Sequence, residues 1–180
     1  MTKNYNKDIM DWKEFPTYDM IWCDPPWGSG LVKMFETMQF KQTGIKRPEN
    51  TIRDILGQLA RLADTSKPLV IEYSLKKANE VIDIVTHYGH TKHKIFKGVY
   101  WLNREFAIIV FNAPINVVTD RTDQKIVIDT LNAMDQKPSV VFDPFAGIGA
   151  TATAVRSTGA TYIGSELNPA RFKKLSKINT

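Results

Sequence analysis

The sequence predicts an α/β protein built on a mostly parallel β-sheet. Short apolar runs alternate with amphipathic segments along the chain, which is typical of parallel strands joined by helices. One pair of runs, residues 94–101 and 105–112, is separated by only three residues. A parallel crossover needs a dozen or more residues, so this pair is predicted to form an antiparallel hairpin. The expected sheet therefore contains one antiparallel strand among parallel ones.

Six apolar runs are rich in β-branched or aromatic residues and are predicted to be strands. They are residues 18–23, 68–73, 94–101, 105–112, 139–143 and 161–166. A further segment, residues 3–9, is too polar to assign from its pattern alone.

The helices follow from apolar stripes at helical spacing. Residues 50–64 carry such a stripe, with Asn50 or Thr51 available as the N-cap, and residues 74–89 carry another, with Ser74 as the cap and Gly89 as the stop. Further helices are expected at about 124–136, 149–158 and 168–177.

Residues 28–50 form a long basic connection with three glycines, which predicts a mobile substrate loop of this single domain. The alternative for this segment is a packed helix around Leu31, Phe35 and Met38.

The overall composition fits one globular domain of 180 residues, with 43% hydrophobic and 24% charged residues. The net charge of +5 permits a polyanionic partner without requiring one. A single cysteine, Cys23, excludes an internal disulfide and fits a reducing compartment. No apolar run approaches the roughly 20 residues that span a bilayer, so we expect a soluble cytoplasmic protein without membrane contact.

The stretch YDMIWCDPPWGSG (residues 18–30) ends a predicted buried strand with an acid, two prolines and a tryptophan. Consecutive prolines fix φ, remove two backbone donors and force a rigid extended turn. Such rigidity suits a functional site, and the alternative is an ordinary surface turn that carries a stray aromatic residue.

A second motif, DPFAGIGAT (residues 143–151), follows another predicted strand and precedes a helix. Gly147 and Gly149 permit a tight turn whose backbone can approach a ligand, and Glu166 ends the next strand, where an acid can meet ribose hydroxyls. Too few residues follow the loop for the second half of a dinucleotide fold, which argues against NAD. Asp143 before the loop instead suggests a ligand with a cationic group, such as the amino end of S-adenosylmethionine.

Together, DPPW and DPFAGIGAT…YIGSELNP resemble the S-adenosylmethionine-dependent DNA amino-methyltransferases, in the order that places the catalytic motif before the cofactor loop. The resemblance implies a circularly permuted, Rossmann-like class I methyltransferase fold with seven strands, so that residues 3–9 would be the missing strand. It also places two segments side by side at the carboxyl ends of adjacent central strands. They are the turn at residues 24–27, called the catalytic turn below, and the cofactor loop at residues 143–149, called the glycine loop.

The resemblance assigns two groups of site residues. The catalytic residues it implies are Asp24, Pro25, Pro26 and Trp27. The residues it implies for the cofactor are Asp8, Ile9, Asp24, Asp143, Pro144, Phe145, Ala146, Gly147, Gly149, Ala150, Thr151, Glu166, Leu167 and Asn168.

The implied reaction is methylation of the N6 amine of a flipped-out adenine in double-stranded DNA. Asp24 and the Pro25 carbonyl would accept hydrogen bonds from the amine, and Trp27 would stack on the base. Direct methyl transfer needs no metal, and none is expected. The open alternatives are N4-cytosine methylation, RNA N6-adenosine methylation and a non-catalytic nucleic-acid-binding subunit; a homodimer or a partner subunit is also open.

DNA contacts are expected from the basic residues of the remaining loops. The candidates are Lys46 and Arg47 in the 28–50 segment and Lys94 in the basic stretch 87–97. Trp101 and Asn103 are further candidates for the base pocket. Loops of this kind contact phosphates and few base edges, so the recognition site is expected to be short.

Overall fold

The computed structural model describes residues 3–46, 48–99, 104–117 and 124–178. Arg47, Trp101 and Asn103 lie outside the described residues. Within the described ranges, no helix combines the length and the apolar character needed to cross a membrane.

A seven-stranded sheet forms the centre of the fold, with the strand order β1-β7-β6-β2-β3-β5-β4. Strand β5 pairs antiparallel with both β3 and β4, and the other pairings are parallel. The predicted fold class is therefore confirmed, including its one antiparallel strand. The strands are β1 Lys3–Tyr5, β2 Met20–Cys23, β3 Leu69–Ser74, β4 His93–Val99, β5 Glu105–Phe111, β6 Val140–Asp143 and β7 Thr161–Ser165.

Six α-helices accompany the sheet in the described part of the chain: α1 Ser29–Thr43, α2 Ile52–Leu62, α3 Ala78–His87, α4 Gln124–Ala133, α5 Ala150–Ser157 and α6 Pro169–Lys177. Thr51 caps α2 in a reciprocal pair with Asp54, as expected from its position before the apolar stripe. Asn168 caps α6, because its side chain accepts a hydrogen bond from the Arg171 amide.

The two faces of the sheet bury different helices because strand side chains alternate. On β2, Ile21 and Cys23 face a core shared with α2 and α3, whereas Met20 and Trp22 face a core shared with α4 and α5. Both faces are covered, which explains the nearly continuous apolar character of the central strands.

The first strand is shorter than predicted. It ends at Tyr5, and Asp8 stands beyond it as the cap of a short 3-10 helix, Ile9–Asp11, where its Oδ1 accepts the Met10 amide over 3.0 Å. The expectation that this acid lies on the strand itself is wrong. Asp8 nevertheless lines the cavity at the edge of the sheet where the parallel strands end.

The prediction of a loop over residues 28–50 is also wrong, because most of this segment is helical. Residues Ser29–Thr43 form helix α1, which ends at Gly44 in the left-handed conformation with φ of 70°. A packed helix was the alternative prediction for this segment. The residues that it buries are Val32 and Gln39. Leu31 is exposed, and Phe35 and Met38 are half-buried.

Candidate active site

One cavity of about 440 Å³ opens at the edge of the sheet where the parallel strands end. This volume lies within the range of small-molecule sites. Most of the lining comes from the segments that follow β1, β7, β6 and β2, which are consecutive neighbours in the sheet. Ligands of open α/β sheets bind at this edge, and the strand order therefore assembles the site from distant parts of the sequence.

The catalytic turn forms one side of the cavity. Asp24, Pro25, Pro26 and Trp27 all line it, directly after β2. The turn is closed by a hydrogen bond from the Gly28 amide to the Pro26 carbonyl over 2.9 Å. Gly28 adopts φ of 106°, which an L-residue rarely adopts, and helix α1 starts immediately after it. The prolines and this glycine together set the direction of the Asp24 and Trp27 side chains.

Asp24 is the ionisable group of this turn. Its side chain is open to the cavity, while the surrounding protein desolvates the carboxylate and raises its pKa to about 6. A hydrogen bond from Trp27 Nε1 to Asp24 Oδ1, at 2.6 Å, opposes this shift by favouring the charged form. Asp24 is therefore ionised at neutral pH and can accept hydrogen bonds from a ligand.

The glycine loop contributes to the lining of the same cavity. Pro144, Phe145 and Gly147 line it, and the preceding strand β6 lies next to β2 in the sheet. Gly147 adopts φ of 57°, and a Cβ added there would meet only the Phe145 carbonyl oxygen, at 4.0 Å. The space in front of Gly147 is therefore open to a ligand.

Glu166 organises this loop. Its Oε2 accepts the Gly147 amide over 2.8 Å and its Oε1 accepts the Asn168 amide over 2.7 Å. Burial raises the pKa of Glu166, and these hydrogen bonds and Arg171 counteract that rise. A carboxylate has about four lone-pair positions, so Glu166 keeps acceptor capacity for hydroxyl groups of a ligand.

Asn168 has a buried side-chain amide at the same wall. Its Oδ1 caps α6, and its Nδ2 is buried without a hydrogen-bond partner in the described part of the chain. Asp8, Ile9 and Leu167 line the same half of the cavity. An unpaired buried donor is costly, so a ligand that accepts from Nδ2 would be stabilised here.

Five of the residues expected at the cofactor do not line the cavity. These are Asp143, Ala146, Gly149, Ala150 and Thr151. A Cβ on Gly149 would collide with Ile178 Cδ1 and lie 3.0 Å from Leu175 Cδ1. This glycine therefore lets α5 and α6 pack closely, and the structure gives it no ligand contact.

Asp143 lies underneath the loop. It is 2% exposed, and its carboxylate accepts the Phe145 amide over 2.9 Å and the Tyr162 hydroxyl over 3.2 Å. The expectation that it meets a cationic ligand group is not supported by this geometry. Burial raises the pKa of Asp143 to about 7, and the hydrogen bonds oppose that rise.

Asp143→Asn is expected to change how stability depends on pH. The pKa of Asp143 is higher in the folded state than in the unfolded chain, so its favourable contribution is complete below about pH 4 and is lost as the pH rises towards about 7. Asparagine does not ionise, and the melting temperature of the variant relative to the native protein should therefore rise between pH 4.5 and pH 7.5. Thermal denaturation across this range checks the result, and a difference that does not vary with pH would contradict it.

Two of the basic residues expected at the substrate, Lys46 and Lys94, do not line the cavity. Lys94 is near the start of β4 and pairs with Val110, near the end of the antiparallel strand β5, so it lies at the edge of the sheet opposite the cavity. Its Nζ donates to Asn116 Oδ1 over 2.9 Å. Lys46 is exposed just beyond α1 and does not line the cavity.

Three other cationic side chains line the cavity and were not predicted: Lys7, Arg104 and Arg171. Arg104 precedes β5 and reaches the site because the β4–β5 hairpin closes at the cavity edge of the sheet. Arg171, on α6, places its guanidinium carbon 4.6 Å from the ring centroid of Phe35 on α1. Helix α1 is thus a wall of the cavity. The short link between the two hairpin strands was the sequence signal that could have located Arg104, because it contains this residue. The link does not indicate the direction in which the side chain extends.

The described residues provide no set of metal ligands. In the described ranges, no group of three or more His, Cys, Asp or Glu side chains could hold a metal ion. His90 is fully buried, with Nε2 2.9 Å from the Ala60 carbonyl oxygen and Nδ1 2.8 Å from Asn112 Nδ2. Both ring nitrogens are occupied by internal hydrogen bonds.

Comparison with known proteins agrees with this arrangement. Residues 124–177 match the N6_N4_Mtase family model, described as DNA methylase. The matched span contains the glycine loop, Glu166 and α6, and it lies after the catalytic turn. No match among curated protein sequences was found.

Solved structures share the fold. M1.HpyAVI is 18% identical, with full coverage of both chains and a TM-score of 0.68. TTHA0409 from Thermus thermophilus, in complex with S-adenosyl-L-methionine, is 14% identical over 99% of this chain and 93% of its own, with a TM-score of 0.55. The cytosine-N4-specific PvuII DNA methyltransferase is 10% identical over 97% and 86%, with a TM-score of 0.52. The chain therefore carries a DNA methylase family match over residues 124–177, and over its whole length it shares the fold of these solved structures.

Proposed function

We propose that the protein methylates the N6 amine of adenine in double-stranded DNA, with the base flipped into the cavity beside Asp24. One observation carries the proposal: the catalytic turn and the glycine loop leave adjacent strands and meet across a single cavity. A methyl donor and an acceptor amine bound on the two sides would face each other. Adenine is favoured over cytosine because a purine offers the larger face for stacking on Trp27.

The cavity residues fit S-adenosylmethionine by their chemistry. Ile9, Phe145 and Leu167 provide apolar walls for the adenine ring of the cofactor. Glu166 offers free acceptor positions for ribose hydroxyls, and Asn168 Nδ2 offers a buried donor. Asp8 and Asp24 supply negative charge for the amino and sulfonium groups. We assign the cofactor contacts to these residues and to Gly147.

The exocyclic amine is a weak nucleophile because its lone pair is delocalised into the ring. In the proposed mechanism Asp24 and the Pro25 carbonyl, which both line the cavity, each accept one N–H, which favours tetrahedral geometry and directs the lone pair at the methyl carbon. S-adenosylmethionine, held by Gly147, Glu166 and Asn168, would supply the methyl group for the amine nitrogen, with the electron pair of the broken carbon–sulfur bond retained by sulfur. Asp24, being ionised at neutral pH, can then take the surplus proton from the methylated nitrogen.

Buried Cys23 has no part in this scheme. It is fully buried in the core below the turn, and burial together with nearby acids raises the pKa of its thiol well above the usual value. A covalent intermediate on Cys23 is therefore disfavoured, and we infer a single direct transfer.

Arg104 is our candidate for a DNA phosphate contact. It is exposed and lines the same cavity as the turn at Asp24, so it is available to the backbone of a nucleotide flipped into that cavity. Arg104→Gln is expected to raise KM for DNA with little change in kcat at saturating DNA. The salt dependence of binding should weaken by a slope of about 0.9, as for one lost phosphate contact. Filter binding at several salt concentrations measures this slope.

Lys94→Gln provides the matched control for Arg104→Gln. It removes the same charge at the opposite edge of the sheet, where the side chain contacts Asn116. Lys94→Gln should leave the DNA affinity unchanged, and Arg104→Lys should retain most of the native DNA affinity. Equal effects of Arg104→Gln and Lys94→Gln would refute a specific role for Arg104.

The proposed substrate is tested by product analysis. The pure protein is incubated with labelled S-adenosylmethionine and either duplex DNA, single-stranded DNA or RNA, and the digested nucleosides are identified by mass spectrometry. N6-methyldeoxyadenosine from duplex DNA is the expected product. N4-methyldeoxycytidine as the product would identify cytosine in DNA as the substrate, and N6-methyladenosine would identify adenosine in RNA. DNA binding without any labelled product would favour a non-catalytic subunit.

A further inference from the structure

Asp24 and Trp27 are joined by a side-chain hydrogen bond across the catalytic turn, from Nε1 to Oδ1 over 2.6 Å. An indole has one N–H donor, and a hydrogen bond to it fixes the rotation of the carboxylate. We propose that Trp27 is a positioning residue for Asp24: its N–H holds Oδ1 and leaves Oδ2 to accept the N–H of the substrate amine. The inference rests on the proposed methyl transfer and adds to the stacking role of Trp27.

The protein holds Trp27 in place from behind. Its ring centroid is 6.2 Å from that of Tyr73, which is 1% exposed on β3, and the rings are inclined at 46°. The indole contacts both cores of the sheet. On the chain itself, the hydrogen bond from the Gly28 amide to Pro26 brackets Trp27 in a tight turn. The donor therefore occupies a defined position, and Asp24 adjusts to it.

The hydrogen bond and base stacking use different parts of the indole. The N–H lies in the plane of the ring, whereas a stacked base contacts the face. Phenylalanine would keep the face and lose the donor, and the hydroxyl of tyrosine lies at the far end of its ring. The two roles of Trp27 can therefore be separated by substitution.

A hydrogen bond to the charged carboxylate favours ionisation. It acts against the desolvation that raises the pKa of Asp24 to about 6. Removing the donor should move this pKa further upwards, so that Asp24 needs a higher pH to accept the amine hydrogen. Cys23, Tyr73 and Asp143 interact electrostatically with Asp24, and Lys77 Nζ lies beside Gly28 at the end of the turn. The charged residues that line the same cavity are Lys7, Asp8, Glu36, Arg104, Glu166 and Arg171.

The test compares the native protein with Trp27→Phe and Trp27→Tyr, both checked for folding by circular dichroism. The Asp24 pKa is measured by carbon-13 NMR of its carboxyl group, without DNA or cofactor. It should rise by about one unit or more in both variants, since a hydrogen bond to a charged group contributes roughly 1.5–3 kcal/mol. The acidic midpoint of the kcat profile should rise equally, with kcat recovering at alkaline pH and KM for DNA changing little.

An unchanged Asp24 pKa in the folded variants would overturn the inference. A shifted pKa with an unshifted kcat profile would overturn it as well, because the hydrogen bond would then be absent when substrate is bound. The NMR measurement does not depend on methyl transfer. A raised pKa in the variants of a protein that methylates no nucleic acid would support the Trp27–Asp24 pairing and refute the proposed function instead.

Discussion

Asp24→Asn is expected to reduce kcat by about 10²- to 10⁴-fold, the usual contribution of a positioned proton acceptor. Asparagine has the same shape and can still accept the Trp27 N–H at Oδ1. Its NH₂ group would replace Oδ2 and present a donor to the amine, which is itself a donor. Transfer to DNA of the methyl label from S-adenosylmethionine measures the rate. The native rate itself should fall below about pH 6, as Asp24 becomes protonated.

The cofactor affinity separates this effect from general damage to the site. Asp24→Asn removes one of the two negative charges assigned to the cofactor, so it should weaken S-adenosylmethionine binding by a few-fold in calorimetry and less than Gly147→Val does, because Asp8, Gly147, Glu166 and Asn168 remain. Asp83→Asn, an exposed acid on α3, is the matched control and should have native activity. Near-native methylation by Asp24→Asn would exclude the mechanism proposed for this carboxylate.

Gly147→Val is expected to weaken S-adenosylmethionine binding by about tenfold or more. The residue adopts φ of 57°, where a branched side chain is strained by about 1–2 kcal/mol, and the added atoms would extend into open cavity space. The Gly147 amide would also be drawn away from Glu166 Oε2. Isothermal titration calorimetry measures the binding, and the melting temperature reports on the fold.

Gly149→Ala distinguishes ligand space from packing space in the same loop. Gly149 adopts φ of 98°, where a side chain is strained, and its added Cβ would also have to displace Ile178 Cδ1, so we expect a melting temperature lower by several degrees. Cofactor affinity should change less than in Gly147→Val at a temperature where both variants are folded. The reverse pattern, with binding lost only in Gly149→Ala, would contradict the assignment of Gly147 to the cofactor.

Local pattern identified most of the regular structure. The predicted strands reappear within one or two residues at most of their ends, since β-branched and aromatic runs buried on both faces leave a clear signal. Lys3–Tyr5 was the exception: a polar edge strand has no such signal, and only the resemblance to a family predicted it. The link between β4 and β5 determined the antiparallel strand, because its length excludes a crossover.

Helix α1 shows where pattern fails. Its exposed Leu31, Met34 and Phe40 and its buried Gln39 do not form one apolar stripe, so its sequence resembles that of a basic loop. The helix is defined by its neighbours: Val32 packs into the core, and Phe35 lies against Arg171. Such contacts between distant segments leave no periodicity in the sequence.

The α/β class and the positions of the DPPW turn and the glycine loop could be predicted from the sequence, because prolines, glycines and apolar runs act through local backbone geometry. Only the tertiary structure decided which side chains face the cavity. It placed Asp143 beneath the loop, Lys94 at the far edge and Arg104 at the mouth. The physical reason is that strand order and register set the direction of a side chain, and both depend on packing between segments far apart in the chain.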